Sequence, residues 1–404
     1  MRRNVPLLLA MSAMHNAQFL TSIWLVYLET RKGVGLEQFL LIEGLYALAM
    51  VVMEIPSGWI SDRFRRISVL RFAELMLVLS MLALLLLDGL LSVVACQVLM
   101  GIGFSFSSGT HQAALYESLA AANRKNDYTK VEGLNTLLAG LALALATLAG
   151  SGLLVTNPNL PVIAYMSALG VSFLCAWALA EPPRPKGTHS DHMLHNLKVV
   201  LHSCFKRTVR LKAYLFINAL LFATLNVLYW MQQPYMGEAG IGVAWFGPIL
   251  FVDSLLGGLG GWLAGRLAFK LPRTGITAGA AVAVVLLGLV ALLPLGYAGI
   301  GMFFALGLVW GYTEVLVAER LQHLALPHMR ATVLSMASFM RQGWFFIFSL
   351  IAARALEVGG LPLVYATAAA ILALALPCCL GLLYGRRWLH ETLMDTVVHP
   401  TVKT

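Results

Sequence analysis

Apolar residues run through this chain in long, nearly unbroken stretches separated by short polar connections. A helix needs about 20 apolar residues to cross a bilayer, and a window of that length selects twelve stretches. Their approximate limits are residues 5–29, 36–57, 68–88, 91–116, 130–153, 160–180, 212–233, 243–267, 274–295, 298–319, 331–354 and 361–384. Because the stretches are continuous rather than alternating, the pattern predicts membrane-spanning helices and not a β-barrel.

The composition agrees with this pattern. Of the 404 residues, 59% are hydrophobic and 12% are charged, and the mean hydropathy is +0.79. Soluble domains average about 45–50% apolar and about 25% charged residues, so a soluble enzyme, a nucleic-acid-binding protein and a disordered chain are excluded. We therefore predict an all-α integral membrane protein with twelve transmembrane helices.

The basic residues predict how the spans are oriented. The net charge is +9, and with a cytoplasmic N-terminus 24 of the 28 lysines and arginines fall in or beside cytoplasmic segments. The exceptions are Arg31, Lys32 and Arg354 on the outer side and Arg341 within a span. Cytoplasmic segments of membrane proteins carry such an excess of positive charge, so both termini are expected in the cytoplasm.

The spans divide into two groups of six. We expect an N-terminal six-helix bundle over residues 1–180, a cytoplasmic linker over 181–211, a C-terminal bundle over 212–385 and a cytoplasmic tail over 386–404. Apolar residues between 193 and 205 recur at helical spacing beside basic residues, which favours an amphipathic helix on the inner leaflet. A solvated basic linker is the alternative.

Two pairs of similar segments indicate that the halves repeat. Gly58 and Trp59 at the end of span 2 match Gly261 and Trp262 at the end of span 8, at an offset of 203 residues. Residues 114–119 match residues 316–321 at an offset of 202. Parallel repeats of this kind are associated with transporters whose binding site lies near the bilayer midplane, between the halves.

The loop after span 2 makes the resemblance to a family specific. It carries the pattern G-x-x-x-D-R-x-x-R at Gly58, Asp62, Arg63 and Arg66. With twelve spans in a 6+6 arrangement, the chain resembles the major facilitator superfamily, although Arg65 replaces the family's usual glycine. The resemblance implies alternating access with a cytoplasmic gate, in which Asp62 lies at the start of span 11 and Arg66 pairs with Glu117. Simple solvation of these charges is the alternative.

A shorter motif suggests a subgroup. Residues 108–109 and 115–119 resemble a bacterial subgroup of this superfamily that includes many efflux proteins, which implies the bacterial inner membrane and export. Gln97 stands where many drug antiporters of the superfamily have arginine, and span 5 has no Gly-Pro pair. The antiporter signature is therefore incomplete, which leaves the direction of transport open.

Spans 1, 4, 7 and 10 line the central cavity in the family that the chain resembles, and each of them has a polar or aromatic face here. We predict that these faces, together with one arginine of span 11, bind the substrate. The predicted residues are His15, Gln18, Phe19, Ser108, His111, Gln112, Asn218, Asn226, Tyr229, Gln233, Trp310, Glu314 and Arg341. Aromatic rings, amides and few charges suit an amphipathic organic molecule.

Ionisable residues within the spans are candidates for proton coupling, because each costs about 2.5–3.5 kcal/mol at the bilayer centre unless it has a partner or a water-filled cavity. The candidates are Glu43, Asp253 and Glu314. Glu43 has no basic neighbour of similar depth, so a proton carrier and a neutral, hydrogen-bonded acid without a transport role are both open. Glu74 is expected at a shallow depth in span 3.

The two basic candidates have alternatives of their own. Arg341 needs an acidic partner, for which Asp253 and Glu314 are available in the same half. Either the pair is static or Arg341 binds an anionic group of the cargo. His15 is a switchable group or a satisfied polar residue of the core.

These observations predict a secondary active transporter, and they favour a proton-coupled exporter of amphipathic small molecules of drug-like or siderophore-like character. An uptake symporter and a lipid transporter are the alternatives. An enzyme is disfavoured because the sequence has no nucleotide-binding loop, HExxH or activated-serine motif. We expect a monomer whose partners are its small amphipathic cargo, protons and membrane lipid, with no metal, no cofactor and no nucleic acid.

Overall fold

The computed structural model describes residues 3–183, 209–267, 272–293, 296–324 and 330–384. Within these ranges the regular secondary structure is helical, without strands. The main helices are Asn4–Asn16, Trp24–Tyr27, Leu28–Lys32, Leu36–Arg63, Arg66–Leu86, Gly89–Ala121, Tyr128–Thr156, Leu160–Ala178, Val209–Ile217, Asn218–Phe222, Ala223–Trp230, Gln232–Glu238, Phe246–Leu267, Pro272–Leu292, Tyr297–Leu324 and Arg330–Tyr384. The predicted amphipathic helix of the linker and the tail from residue 386 lie outside the described residues.

The helices are consistent with twelve crossings. Among the described residues, ten helical stretches are long and apolar enough to span a membrane, and the last of them covers 49 residues. That stretch is two spans, because Gly359 and Gly360 leave the helical conformation and Gly360 has a φ of 65°, which favours glycine. The twelfth crossing is span 1, whose helix is too short to be counted by length alone.

Span 1 differs from the continuous helix that the sequence predicts over 5–29. Its helix ends at Asn16, a turn follows over residues 17–23, and a short α-helix and a π-helix complete the crossing. Span 5 makes room for this turn, since a side chain at Gly150 would overlap the carbonyl oxygen of Phe19. The Ser22 hydroxyl donates a hydrogen bond of 2.8 Å to the Thr147 carbonyl of the same span 5.

The packing of the helices follows the predicted repeat. Span 2 packs against span 4 as span 8 packs against span 10, and span 1 packs against span 5 as span 7 packs against span 11. Between the halves, span 5 packs on span 8, and span 2 packs on span 11 through Gly44 and Phe346. Each of these two contacts becomes the other when the halves are exchanged, as a two-fold internal repeat requires.

The halves meet at one end of the bundle. We name the end where Asn4, Ala178 and Val209 lie the linker end, and the opposite end the distal end. Cross-half hydrogen bonds among the described residues join Leu25 and Thr21 to Gln233 and Ser151 to Ala244 toward the distal end, and the Gln342 amide to the Met50 sulfur near the middle of spans 2 and 11. The distal end is therefore closed in this structure.

Glycine contacts between spans 8 and 10 predict a position where any side chain is destabilising. A side chain at Gly311 would overlap the carbonyl oxygen of Gly257, whereas a side chain at Gly301 of the same helix would meet nothing within 4 Å. We expect Gly311→Val to lower the midpoint of thermal unfolding in detergent by several degrees, since overpacking costs about 1–3 kcal/mol. Gly301→Val is the matched control. An equal midpoint for both variants would contradict the packing described here.

Candidate functional site

A pocket of about 530 Å³ opens in the N-terminal half beside the turn of span 1. Spans 1, 2, 4 and 6 form it, and Trp230 of span 7 closes it from the other half. Its lining is Gln18, Leu20, Thr21, Trp24, Glu43, Tyr46, Gln97, Met100, Phe104, Tyr165 and Trp230. We call it the N-half pocket. Large aromatic surfaces with a few amide, hydroxyl and carboxyl groups suit a small organic ligand that has both apolar and polar parts.

Glu43 is the acidic group of this pocket. Its carboxyl group is only 4% exposed and accepts hydrogen bonds of 2.8 Å from the Trp24 indole and 2.5 Å from the Gln97 amide. Among the described residues, no lysine, arginine or histidine forms an ion pair with it. Two neutral donors thus hold a buried acid at the edge of a cavity, which makes its charged form expensive in the absence of a cation.

Arg341 lies in a second polar cluster, in the C-terminal half. Its guanidinium group donates to Glu314 at 3.0 Å and to the Asn218 side chain at 2.8 Å. Trp310 donates to the other oxygen of Glu314 at 2.9 Å. Glu314, and not Asp253, is therefore the acidic partner that the sequence left undecided. Both charged side chains remain about one third exposed.

Asp253 lies apart from this pair in a smaller pocket between spans 7, 8 and 10. Tyr229, Gln232, Gly307 and Trp310 are among its lining residues. The Gln232 amide is 3.5 Å from one carboxyl oxygen of Asp253, and the other oxygen is buried without a hydrogen-bond partner among the described residues. The three acids predicted for proton coupling thus occupy three different environments.

His15 does not line the N-half pocket. Its Nε2 atom lies 2.8 Å from a carboxyl oxygen of Glu74, and its ring packs edge-on against Phe104 at a centroid distance of 5.7 Å. Glu74 is completely buried among its protein neighbours, and its shallow depth in the bilayer stays a prediction. The helix of span 3 begins before the predicted limit, at Arg66, and its packing on spans 4 and 6 covers the side chain.

The other predicted substrate residues separate into several places. Gln18 lines the N-half pocket, Tyr229 and Trp310 line the Asp253 pocket, and Ser108 lines a third pocket near the linker end. His111 is buried and contacts the Leu8 carbonyl at 2.9 Å, and Gln112 is exposed. Phe19 and Asn226 are partly buried outside the three pocket linings. Asn218 contacts Arg341, and Gln233 contacts the backbone of span 1.

The third pocket brings part of the predicted gate together. Arg66 forms an ion pair of 2.7 Å with Glu117, as the family resemblance implies, and also donates to Ser61. Glu181 accepts hydrogen bonds from the backbone N–H groups of Arg66 and Ile67, the first residues of span 3. This carboxylate at the positive end of a helix fixes the loop after span 2.

The remaining gate residues are placed only in part. Gly58 lines the third pocket, and the exposed Arg63 lies over the Trp59 ring at 5.2 Å. The side chain of Asp62 and residues 325–329 before span 11 lie outside the described residues, so the predicted approach of Asp62 to span 11 remains a prediction.

Sequence reasoning missed most of the lining of the N-half pocket. Trp24, Tyr46 and Trp230 were not singled out because single aromatic residues are common in membrane helices. The turn in span 1 brings Trp24 to the pocket, and this turn has no strong signal in the sequence. A buried carboxyl group in need of donors was the available clue, since Gln97 and Trp24 are the donors that Glu43 uses.

The ion pair at the linker end allows a test by a double-mutant cycle. Arg66 and Glu117 are 15% and 13% exposed, whereas the pair of Arg124 and Asp127 is 47% and 42% exposed. We expect a coupling energy of about 1–2 kcal/mol for Arg66→Ala with Glu117→Ala in thermal unfolding. The exposed control pair should give below about 0.5 kcal/mol. A coupling for Arg66 and Glu117 no larger than the control would show that the contact is not formed.

Comparison with known proteins shows the family. The model of the Major Facilitator Superfamily matches residues 7–349. Curated protein sequences give no match. Among solved structures, the nucleoside transporter NupG is 14% identical with a TM-score of 0.72, covering 94% of this chain and 99% of its own.

Two further structures are similar over the whole fold. A D-xylose-proton symporter is 13% identical with a TM-score of 0.73, and a POT family transporter in complex with a thioalcohol-conjugated peptide is 13% identical with a TM-score of 0.70. Each covers 93% of this chain and 96% of its own. Such low identities show a shared fold alone. Because the family model matches most of the chain, the protein belongs to the Major Facilitator Superfamily and is a multi-pass membrane transporter.

Proposed function

We propose that the protein is a proton-coupled secondary transporter of a small amphipathic organic molecule, bound in the N-half pocket. The observation that carries the proposal is Glu43, a buried carboxyl group that lines this pocket and accepts hydrogen bonds from two neutral donors. Trp24, which donates to Glu43, lines the same pocket. In this proposal the proton and the cargo therefore bind to overlapping sets of side chains.

The coupling follows from the charge of Glu43. The protonated acid is neutral and can remain buried, whereas the carboxylate needs compensation from a cation or from water. Opening the pocket to either side of the membrane admits water and allows the proton to leave. A cargo whose polar group competes for the Trp24 or Gln97 donors changes the affinity for the proton, and the reciprocal effect follows by linkage.

Asp253 and Glu314 have secondary roles in this proposal. Glu314 is already neutralised by Arg341, so we assign the pair to the C-half face of the transport path. Asp253 is the second candidate for a proton site, because its pocket supplies one long hydrogen bond and no cation among the described residues. The gating roles of Gly58, Asp62, Arg63, Arg66 and Glu117 also belong to the proposal.

The excess of basic residues supports a cytoplasmic linker end and cytoplasmic termini in a bacterial inner membrane. The distal end then faces outward, and the structure with its closed distal end corresponds to the inward-facing state of alternating access. A monomer contains both halves of the site, so we propose that the monomer is sufficient for transport.

We propose export as the direction, on the resemblance of residues 108–119 to the efflux subgroup. Drug-like and siderophore-like compounds are the classes with the required aromatic and polar parts. Proton symport into the cell is the second candidate, because a D-xylose-proton symporter shares the fold over 93% of this chain. Transport of a lipid by the same fold is the third candidate, and the test below distinguishes it from the other two.

The test measures proton movement in liposomes that contain the purified protein and a pH-sensitive dye. An inward proton gradient is imposed, and amphipathic compounds, siderophores, nucleosides and sugars are added one at a time to either side. For the compound that moves protons, we expect Glu43→Gln to lower the coupled flux at least tenfold while cargo binding persists. Asp253→Asn should lower it less.

Glu37→Gln is the matched control, because Glu37 is an exposed carboxyl group on the same helix as Glu43. The sign of proton flux for cargo on each side separates export from uptake. Full coupling in Glu43→Gln would refute its role as the carrier. Cargo movement without any proton response would refute the coupling itself and would point to another ion or to lipid transport.

A further inference from the structure

One side chain of the C-terminal half, that of Gln233, forms hydrogen bonds with the backbone of span 1. The carbonyl oxygen of the Gln233 side chain accepts a hydrogen bond of 3.0 Å from the backbone N–H of Leu25. The amide nitrogen of the same side chain donates a hydrogen bond of 2.9 Å to the backbone carbonyl of Thr21. Gln233 is 1% exposed, so both bonds are shielded from solvent.

The spacing of these two backbone groups is four residues. In a continuous α-helix the N–H of residue 25 would donate directly to the carbonyl of residue 21. The Gln233 amide therefore stands in the place of one helical hydrogen bond of span 1. The Thr21 carbonyl in the turn and the Leu25 N–H just after it are thus satisfied by a side chain that the other half of the protein supplies.

We infer that Gln233 is a positioning residue that holds span 1 unwound while the distal end is closed. When the halves separate at the distal end, Gln233 withdraws, and Leu25 and Thr21 bond to each other. Span 1 then rewinds. Both arrangements satisfy the backbone, so the two states differ by little free energy, as a switch requires.

This rewinding would change the N-half pocket directly. Leu20, Thr21 and Trp24 line that pocket, and Trp24 is one of the two donors to Glu43. A helical turn added before Trp24 rotates its side chain about the axis of span 1 and removes its bond to Glu43. The state of the distal gate is thereby transmitted to the site that we propose for cargo and proton. The inference rests on the proposed alternating access.

Two other contacts of the same region provide controls. Ser22 lies in the same turn but donates to Thr147 within its own half, so its bond does not depend on the contact between the halves. Ser151 donates to Ala244 across the halves but lies in a continuous helix. Ser22→Ala weakens the turn without changing a contact between the halves, and Ser151→Ala weakens a contact between the halves without changing the turn.

The test measures the ratio of distal-open to distal-closed protein by the distance between spin labels. The labels are placed at Asn157 and Tyr297, exposed distal positions of the two halves, on a variant whose five cysteines are replaced by alanine and whose folding is verified. We expect Gln233→Leu to raise the ratio about tenfold, since two neutral hydrogen bonds are lost. Ser22→Ala and Ser151→Ala each remove one hydrogen bond, from the turn and from the contact between the halves respectively, so each should raise the ratio less.

The variant Leu25→Pro tests the direction in which the open-to-closed ratio changes when span 1 cannot rewind. Proline is tolerated in the first turn of the short helix Trp24–Tyr27, but it has no N–H and would clash with the Thr21 carbonyl in a rewound helix. Although it removes one bond to Gln233, we expect it to lower the open-to-closed ratio, because rewinding is blocked. A rise in the ratio would overturn the inference, as would an unchanged ratio in Gln233→Leu.

A further variant keeps the inference testable where Leu25→Pro does not fold. A side chain at Gly150 would overlap the Phe19 carbonyl of the turn, and a continuous span 1 would not place that carbonyl there. Gly150→Ala should therefore raise the open-to-closed ratio, and an unchanged ratio would overturn the inference. The label distances need neither cargo nor protons, so their outcome is separate from that of the liposome assay.

Discussion

Backbone groups inside a membrane must be satisfied by protein, and the turn in span 1 is where this constraint is most severe. Seven residues, 17–23, leave the regular helix at mid-depth, where lipid offers no hydrogen bond. Span 5 approaches closely through Gly150, and Gln233 of the opposite half supplies both a donor and an acceptor. The pocket, the position of Trp24 and the closed distal end all depend on this arrangement.

The fold was predictable because its determinants are long-range averages. Hydropathy over about 20 residues locates the spans, and the basic residues and the offset of about 203 residues indicate the arrangement of halves. The contacts of spans 2 with 11 and 5 with 8 agree with that repeat. The break in span 1 escaped this reasoning, because its residues are as apolar as those of a continuous helix and Gln233, which binds its backbone, lies 208 and 212 positions from Leu25 and Thr21 in the chain.

The candidate site was predictable only in part, because helix faces were extrapolated at 100° per residue. That rule fails after residue 16 in span 1, and it fails again in span 7, where Asn218–Phe222 is π-helical and the helix is interrupted near Met231. Asn218 and Gln233 thus face different partners although the ideal helix places them on one face. Glu43 needed no such extrapolation, since a carboxyl group at that depth requires donors wherever its helix turns.

The buried acids differ in the side chains that contact their carboxyl groups. This difference is the basis on which we rank them as candidate proton carriers. Glu314 forms an ion pair with the Arg341 guanidinium group at 3.0 Å, and Glu74 lies 2.8 Å from the His15 imidazole. Glu43 has only the neutral donors Trp24 and Gln97. A carboxylate beside a permanent cation is compensated by that cation, whereas a buried carboxylate with neutral donors alone is not. Because Trp24 belongs to the short helix that follows the turn in span 1, the proposed proton site adjoins the backbone groups that Gln233 binds.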